Sequence, residues 1–324
     1  MSKTITTVTH SKMILLLLIL TAASATINFA ENKPKKKVRH WGIELSMSPY
    51  YDSNILKYSD KYIDRFLNRE DEGRFHINRY DDMVVRYSGS VSYTNRFIKK
   101  LKSIFSADFS YYKYSFNNVK DWMRFNIDWR QYFLSRSSFM ISYSHIPHFY
   151  VRHFRDEDWI AVYGYTPITF QPYEFSKDDF SFWIHHYIFK DTGVRLYFSY
   201  YKYFLDEHNT EYDSDDYLYG IRVFQKISKN LKVDAGYKYV TSKAKGYDET
   251  GETLATSDDV DATNYSHNYL AGISYRLPKI LKMKNTLNLD ASYERVFYTT
   301  DHFYEVDPIH AGRHDKVIDR KSVV

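Results

Sequence analysis

Two neighbouring segments, Asp216 to Lys226 and Leu231 to Val240, alternate apolar and polar residues along their whole length. A period of two residues is typical of a β-strand, because successive side chains point to opposite faces. The polar side carries charges that a packed soluble core would not tolerate unpaired, and the apolar side is rich in tyrosine. The pattern predicts strands of a transmembrane β-barrel, with lipid on one side and water on the other.

The composition agrees with this pattern. Phe, Trp and Tyr make up 19% of the residues, yet the mean hydropathy is −0.55. No apolar run after residue 20 approaches the ~20 residues that a membrane helix needs. A chain that is both aromatic and hydrophilic is expected where every second strand residue faces water. The competing architecture, a soluble sandwich or a lipocalin-like barrel, would turn its Tyr-rich faces inward.

The first residues indicate export. A basic start, the apolar run Met13 to Leu20 and the small residues 23–25 predict a secretory signal peptide over residues 1–25, with cleavage after Ala30 as the alternative. Residues 26–40 then form a basic periplasmic leader, and export removes them from nucleic acid, so no nucleic-acid partner is expected. The chain has no cysteine, so neither a disulfide nor a lipidated cysteine is expected.

Alternation predicts eleven strands after the leader. Long and shorter links mostly alternate between these strands, as extracellular loops and periplasmic turns do in outer-membrane barrels. The longest predicted loops are Pro49 to Asp82, Pro147 to Asp178, Thr241 to Thr263 and Thr299 to Val317. The strands are predicted over 41–48, 83–93, 104–114, 122–133, from 139, 179–189, from 194, 216–226, 231–240, 264–277 and from 286.

The end of the chain carries an unusual tail. Residues 319–324 back-translate to GAT CGG AAG AGC GTC GTG, which resembles a sequencing-library adapter. We therefore expect the barrel to occupy residues 41–318 and the tail to be foreign. Because bacterial single-chain barrels have even numbers of strands, we expect about twelve, with the C-terminal strand in missing sequence, or fourteen if more is missing.

Charged residues of both signs lie on the inward register of the predicted strands. One interpretation is a water-filled path with a slight preference for anions, because rings of basic side chains favour them. The other is that the charges pair across neighbouring strands and fill the barrel, since about twelve strands leave the interior neither necessarily packed nor clearly wide. The predicted lumen-lining residues are Arg86, Arg124, Asp128, Arg130, Arg195, Arg222, Lys232, Asp234, Lys238, Arg276, Asp290 and Glu294, with Glu44 and Asp108.

No catalytic site is predicted. Outer-membrane phospholipases, which this chain resembles in size and strand number, carry a serine and a histidine two residues apart on one strand face. None of the 13 histidines here has a serine at that spacing. Ser181 and His185 share a face, but four strand residues separate them too far for a direct hydrogen bond.

No metal site or cofactor is predicted either. His145, His148 and His153 fall close together, but His185 and His186 are adjacent and therefore point to opposite faces of a strand. Interface aromatics are the favoured interpretation of these histidines. The acidic runs 213–216 and 258–261 lack the glycine and terminal glutamate of a calcium loop, so we interpret them as solvated loops.

Two short stretches resemble known families. Tyr51, Asp52, Ser53 and Asn54 resemble the Y-D-S-N signature of porin-like outer-membrane barrels and, distantly, of the barrel of surface-lipoprotein assembly modifiers. Residues 307–315, with Arg313 and Asp315, resemble the loop that often precedes their last strand. The resemblance implies a barrel architecture and an outer-membrane address in a Gram-negative bacterium, without a substrate.

The leading functional hypothesis is a porin-like passive channel for small hydrophilic solutes or ions. The alternative is a non-conducting surface-binding or assembly barrel whose loops Pro49 to Asp82 and Pro147 to Asp178, rich in Tyr and Arg, recognise a partner. A membrane-embedded hydrolase is the third. Outer-membrane lipid and lipopolysaccharide are the expected surroundings, with Lys113 and Lys202 placed to meet lipid phosphates or to snorkel. The oligomeric state stays open.

Overall fold

The computed structural model describes residues 40–98, 101–134, 136–278 and 285–323. The predicted signal peptide 1–25 and all but the last residue of the predicted leader 26–40 lie outside the described residues. None of the helices in the described ranges has the length and apolar character that crossing a membrane would require.

The described residues form one antiparallel sheet of twelve strands whose spatial order follows the chain. The predicted all-β class, antiparallel pairing and strand number are confirmed. The sheet is not closed, because β1 and β12 lie at its two ends. The strands are β1 Trp41–Asp52, β2 Asp82–Asn95, β3 Ser103–Tyr114, β4 Trp122–Leu134, β5 Ser137–Arg155, β6 Phe170–Tyr187, β7 Thr192–Leu205, β8 Ser214–Lys226, β9 Leu231–Ala244, β10 Asn264–Arg276, β11 Thr286–Tyr298 and β12 His314–Val323.

Consecutive antiparallel strands place their connections alternately at two ends of the sheet. The connections after β2, β4, β6, β8 and β10 lie at what we call the turn end. The others, including the long connections 53–81, 156–169, 245–263 and 299–313, lie at what we call the loop end. Helix α1 (Asp60–Leu67) and helix α2 (Glu157–Tyr163) are both in loop-end connections.

The sheet has two chemically distinct faces, because directly opposed residues on neighbouring strands share a face. The polar face contains the opposed row Glu44, Ser90, Asp108 and Asn126. The apolar face contains Ile43, Val91, Ala107 and Ile127, one position away on the same strands. Apolar side chains on this second face are exposed, with Ile43 at 74% and Ile127 at 61%.

Aromatic side chains form two rows on the apolar face. One row lies toward the turn end of β1–β4, where the ring centres of Trp41 and Tyr93 are 4.7 Å apart and those of Phe105 and Trp129 are 5.9 Å apart. The other row lies toward the loop end of β7–β11. Its members include Tyr200 and Tyr217, 5.1 Å apart, and Tyr265 and Phe297, also 5.1 Å apart.

The predicted loop Pro147 to Asp178 is wrong. Strands β5 and β6 continue as a long hairpin on both sides of connection 156–169. Pro147 falls where the register shifts between Ile146 and Phe149, and a bulge is one of the few places where a sheet accepts proline. Strand β1 likewise continues through Pro49, which an edge strand tolerates because it has a free side.

The predicted loop Thr299 to Val317 ends earlier than expected, and a twelfth strand is present in this chain. Strand β12 pairs with β11 from His314 opposite Phe297 to Val323 opposite Asn288. The charged sequence of β12 lacks the alternation of the other strands, so its side chains gave no strand signal. The unpaired N–H and C=O groups on the edge of β11 accept an extended chain whatever its side chains. The foreign origin of residues 319–324 stays a prediction.

Candidate functional site

The register places the predicted lumen-lining residues on the polar face of the sheet. Opposed pairs connect them from strand to strand: Arg195 faces Arg222, Asp234 faces Gly272, and Gly272 faces Asp290. The residues that share this face are Arg86, Arg124, Asp128, Arg130, Arg195, Arg222, Lys232, Asp234, Lys238, Arg276, Asp290 and Glu294, with Glu44 and Asp108.

Part of this charge is paired across strands. Arg222 Nε donates to Asp234 Oδ2 at 2.6 Å, and its Nη2 lies 3.7 Å from Asp290. Asp128 accepts from Asn126 Nδ2 at 2.6 Å and from the Ser142 hydroxyl. In the middle of the polar face, acidic groups are therefore held in networks, while several basic groups have no carboxylate partner in the described part of the chain. The water-filled path stays a prediction.

At the loop end, connection 53–81 folds over the polar face. Ile55, Leu56 and Tyr58 pack with Val84 and Tyr114 into a buried core. Val84 and Tyr114 are polar-face positions of β2 and β3, and they oppose each other. This connection therefore covers the loop end of the polar face near β2 and β3 as an ordered segment.

Two cations attach loop-end connections to β5: the buried Lys120 of connection 115–121, and the half-buried Arg152 of β5 itself, which bonds to connection 53–81. Lys120 Nζ donates to the carbonyls of Tyr150 and Val151 at 2.7 and 3.3 Å. Burial, together with the nearby Arg152 charge, lowers the pKa of Lys120 to about 8. Arg152 donates to the Leu56 carbonyl at 2.8 Å. Each cation therefore holds a loop-end connection against β5 through bonds to backbone oxygens.

The backbone of connection 53–81 also approaches connection 156–169 closely. Gly73 has a φ of +90°, and a Cβ atom there would lie 2.3 Å from the Pro167 carbonyl oxygen. Any other residue at position 73 would strain the backbone and separate the two loops. Arg74, next along the chain, lies 5.0 Å above the Phe170 ring.

The Y-D-S-N stretch has a structural role in this fold. The Asn54 side chain brackets Tyr58, donating to its carbonyl at 2.6 Å and accepting from its N–H at 2.9 Å. Asp52 accepts from the Asn54 N–H at 3.0 Å, and the Tyr51 hydroxyl donates to Asp81 at 2.6 Å. Tyr51, Asp52 and Asn54 therefore shape the start of connection 53–81 and join its two ends.

The second family-like stretch orders another pair of loops. Arg313 donates to both oxygens of Asp315, at 3.0 and 2.8 Å. Asp307 is fully buried and accepts from the N–H groups of Asp261 and His310 at 2.9 and 3.0 Å. The contact with Asp261 ties connection 299–313 to connection 245–263.

The clustered histidines have separate partners. His145 lies 2.9 Å from Asp178, and His148 lies 2.5 Å from Glu174. His153 stacks on another histidine, His76, with ring centres 3.6 Å apart. The structure therefore does not bring His145, His148 and His153 together at one point.

One serine and one histidine are hydrogen-bonded across strands. Ser137 Oγ lies 2.8 Å from His186 Nδ1, a pair that sequence spacing cannot show because it joins β5 to β6. The Ser137 side chain is buried, so a substrate carbonyl cannot reach its oxygen, as a nucleophile would need. Ser181 bonds to Asp179 and Ser199.

The two lysines considered for lipid contact both lie on the apolar face near the loop end. Lys113 Nζ is 2.6 Å from Asp121, and Lys202 Nζ is 4.0 Å from Asp215. Each lysine therefore has a carboxylate neighbour, and its contact with lipopolysaccharide stays a prediction.

Sequence spacing did not find a carboxylate cluster in connection 245–263. One oxygen from each of Asp248, Glu252 and Asp259 lies within 4.8 Å of the others. Three carboxylate oxygens are about half the ligands that calcium takes, so the trio is not a complete calcium site. Burial, and then the charges of Asp259 and Asp248, raise the pKa of the neighbouring Glu211 to about 8.

We expect the contact between residues 207–212 and connection 245–263 to weaken as pH rises from about 5 to about 9. Glu211 binds its proton more tightly in the folded state, so its contribution to stability falls as pH rises through the folded pKa. A glutamine at position 211 stays neutral at every pH. At pH 9, Glu211→Gln should therefore keep about 1–3 kcal/mol of stability in this contact that the native protein loses. Hydrogen-exchange protection factors, corrected for intrinsic rates and measured with a chelator, provide the readout.

Glu207→Gln is the matched control for this measurement, because Glu207 lies in the same short connection, on the other side of a kink at Asn209, and is exposed. It should keep the pH dependence of the native protein. The same pH dependence in Glu211→Gln as in the native chain would show that Glu211 is not the titrating group.

The chain matches no protein-family model and no curated protein. The two faces of the sheet and the loop-end core are therefore the features that point to a function.

Proposed function

We propose that this protein forms a β-barrel in the outer membrane of a Gram-negative bacterium and acts as a porin-like passive channel for small hydrophilic solutes or ions. The separation of the two faces of the sheet carries the proposal. Apolar side chains are exposed on one face of most strands, while the strand charges concentrate on the other. Soluble monomers rarely expose contiguous apolar surfaces above a few hundred Å².

A bilayer accounts for the apolar face. Lipid tails would cover residues such as Leu45, Ile127 and Leu196, which are all at least half exposed. The two aromatic rows would lie at the two membrane interfaces, as aromatic girdles do in outer-membrane barrels. In the proposed barrel β1 and β12 come together, because closure removes the exposed edges of a sheet.

The polar face would then enclose water. Its charges have both signs, and basic residues outnumber acidic ones toward the turn end. Rings of basic side chains favour anions, so the channel should prefer them weakly. Connection 53–81 covers part of the loop-end mouth and should limit the conductance.

Planar-bilayer recording tests this proposal. We expect the purified protein to give steady single-channel conductance, with a reversal potential in a salt gradient that indicates weak anion preference. A folded, heat-modifiable protein that never conducts would contradict the channel.

A surface-binding barrel is the second candidate, and one observation favours it. Apolar side chains at the tip of the β5–β6 hairpin are exposed, with Val162 at 73% and Tyr165 at 76%. Exposed apolar groups at a loop tip are typical of a protein contact. A folded protein without conductance, whose binding to cell-surface material is lost in Val162→Ser/Tyr165→Ser, would favour this candidate.

A further inference from the structure

Arginines and aromatic rings alternate across the turn-end half of the polar face. Arg130 and Arg195 both lie over the Trp183 ring, with Cζ atoms 5.0 and 4.8 Å from its centre. Arg195 and Arg222 lie over Phe224, at 5.2 and 5.5 Å. We call these five residues the arginine ladder. Stacking on an aromatic face orients a guanidinium group while its N–H edge stays able to donate hydrogen bonds.

Carboxylates do not balance the charge of the ladder. Arg222 is paired with Asp234 and Asp290. In the described part of the chain, Arg130 and Arg195 have no carboxylate within ion-pair distance, and Arg195 Nε is buried without a hydrogen-bond partner. Arg195 and Arg222 oppose each other directly on β7 and β8, a placement in which like charges repel. A bound anion would relieve this repulsion.

A cavity of about 620 Å³ lies against the ladder. Its volume is in the range of small-molecule sites. Asp191 and Asp234 also line it, but Asp234 is already bonded to Arg222. The His185 ring is on the same wall, and its Nδ1 is buried without a partner among the described residues. The basic residues around the cavity include Arg130, Arg195, Arg276, Lys226, Lys229 and Lys232.

We propose that this cavity binds a small multivalent oxyanion, of the phosphate or polycarboxylate class, bridging Arg130 and Arg195. Planar guanidinium groups recognise paired oxygens with two parallel hydrogen bonds, which a chloride ion cannot accept in that geometry. Arg195 lines the cavity and has no carboxylate within ion-pair distance among the described residues, so its guanidinium group can supply such hydrogen bonds. The inference rests on the proposed channel function, in which the site would bind anionic solutes as they pass through the barrel. Binding can still be measured in a protein that does not conduct.

Calorimetric titration of the detergent-solubilised protein tests the site. Inorganic phosphate and citrate are titrated separately, with sodium chloride keeping the ionic strength constant. We expect saturable binding of at least one probe, and the tighter probe identifies the class. Arg195→Gln should weaken binding at least tenfold, and Arg130→Gln/Arg195→Gln should abolish it.

Arg86→Gln is the matched control. Arg86 lies on the same face at the loop end, where it donates to Ser110 at 3.2 Å, so its loss should leave the affinity unchanged. Removing Arg195, which faces Arg222, relieves repulsion, so Arg195→Gln should fold. Heat-modifiability on gels checks the folding of both ladder variants. No saturable binding of either probe to the native protein, or equal affinity in Arg195→Gln, would overturn the site.

The same samples are recorded in planar bilayers, so that the two proposals fail separately. Conductance without phosphate or citrate binding keeps the channel and removes the site. If the protein binds the probe through Arg195 but does not conduct, the channel is contradicted. The anion site is then kept, in a barrel that does not conduct.

Discussion

In the proposed membrane-inserted barrel, Ile127→Arg is expected to lower the free energy of unfolding by about 2–4 kcal/mol. Ile127 lies in the middle of β4 on the apolar face, and it is 61% exposed. In water an exposed arginine there would cost little, but at the bilayer midplane its guanidinium group loses hydration. Urea unfolding in lipid vesicles, followed by tryptophan fluorescence, measures the difference.

Asn126→Arg is the matched control, one residue away on the opposite face. Asn126 Nδ2 lies 2.6 Å from Asp128 and 3.4 Å from Asp108, so an arginine there meets two carboxylates. We expect its free energy of unfolding to stay within about 0.5 kcal/mol of the native value. A loss in Asn126→Arg alone would mean that lipid covers the opposite face. Equal losses in both variants would mean that the loss does not come from lipid contact, and a fully stable Ile127→Arg would mean that lipid does not cover the apolar face.

The faces could be predicted from the sequence because the side-chain period of a strand is local. Ile127 and Asp128 are neighbours in sequence, and alternation alone assigns them to opposite faces. The register confirms that assignment for the polar residues from Glu44 to Glu294. Strand ends were less predictable where a bulge admits Pro147, or where β12 pairs through its backbone without an apolar pattern.

The proposed anion site and the loop-end core are non-local, which is why sequence spacing did not show them. The arginine ladder joins residues of β4, β6, β7 and β8. The loop-end core joins Leu56 of connection 53–81 to Tyr150 of β5. Although Arg130, Arg195 and Arg222 were each predicted on the inward register, their stacking on Trp183 and Phe224 needed the sheet order and the long β5–β6 hairpin.

Asp82→Ala is expected to release connection 53–81 and raise the single-channel conductance. Asp82 is 1% exposed, and its carboxylate accepts from the N–H groups of Ser115 and Asn117 at 3.0 and 2.9 Å and from Asn117 Nδ2 at 2.8 Å. Asn117 Oδ1 in turn accepts from the Asn78 N–H at 2.7 Å. Leaving these buried donors unpaired should cost about 2–4 kcal/mol locally.

The released connection should become sensitive to trypsin, which cleaves after exposed Lys and Arg, and it should no longer cover the mouth. Asp121→Ala is the control on connection 115–121. Asp121 accepts from Tyr111, Lys113 and Tyr114, so its loss perturbs the same connection without breaking the link between Asn117 and residues 53–81. Trypsin sensitivity with unchanged conductance would show that connection 53–81 does not narrow the path. Higher conductance in Asp82→Ala but not in Asp121→Ala would show that connection 53–81 limits the ion flow. Only Asp82→Ala breaks the hydrogen bonds that run from Asp82 through Asn117 to Asn78.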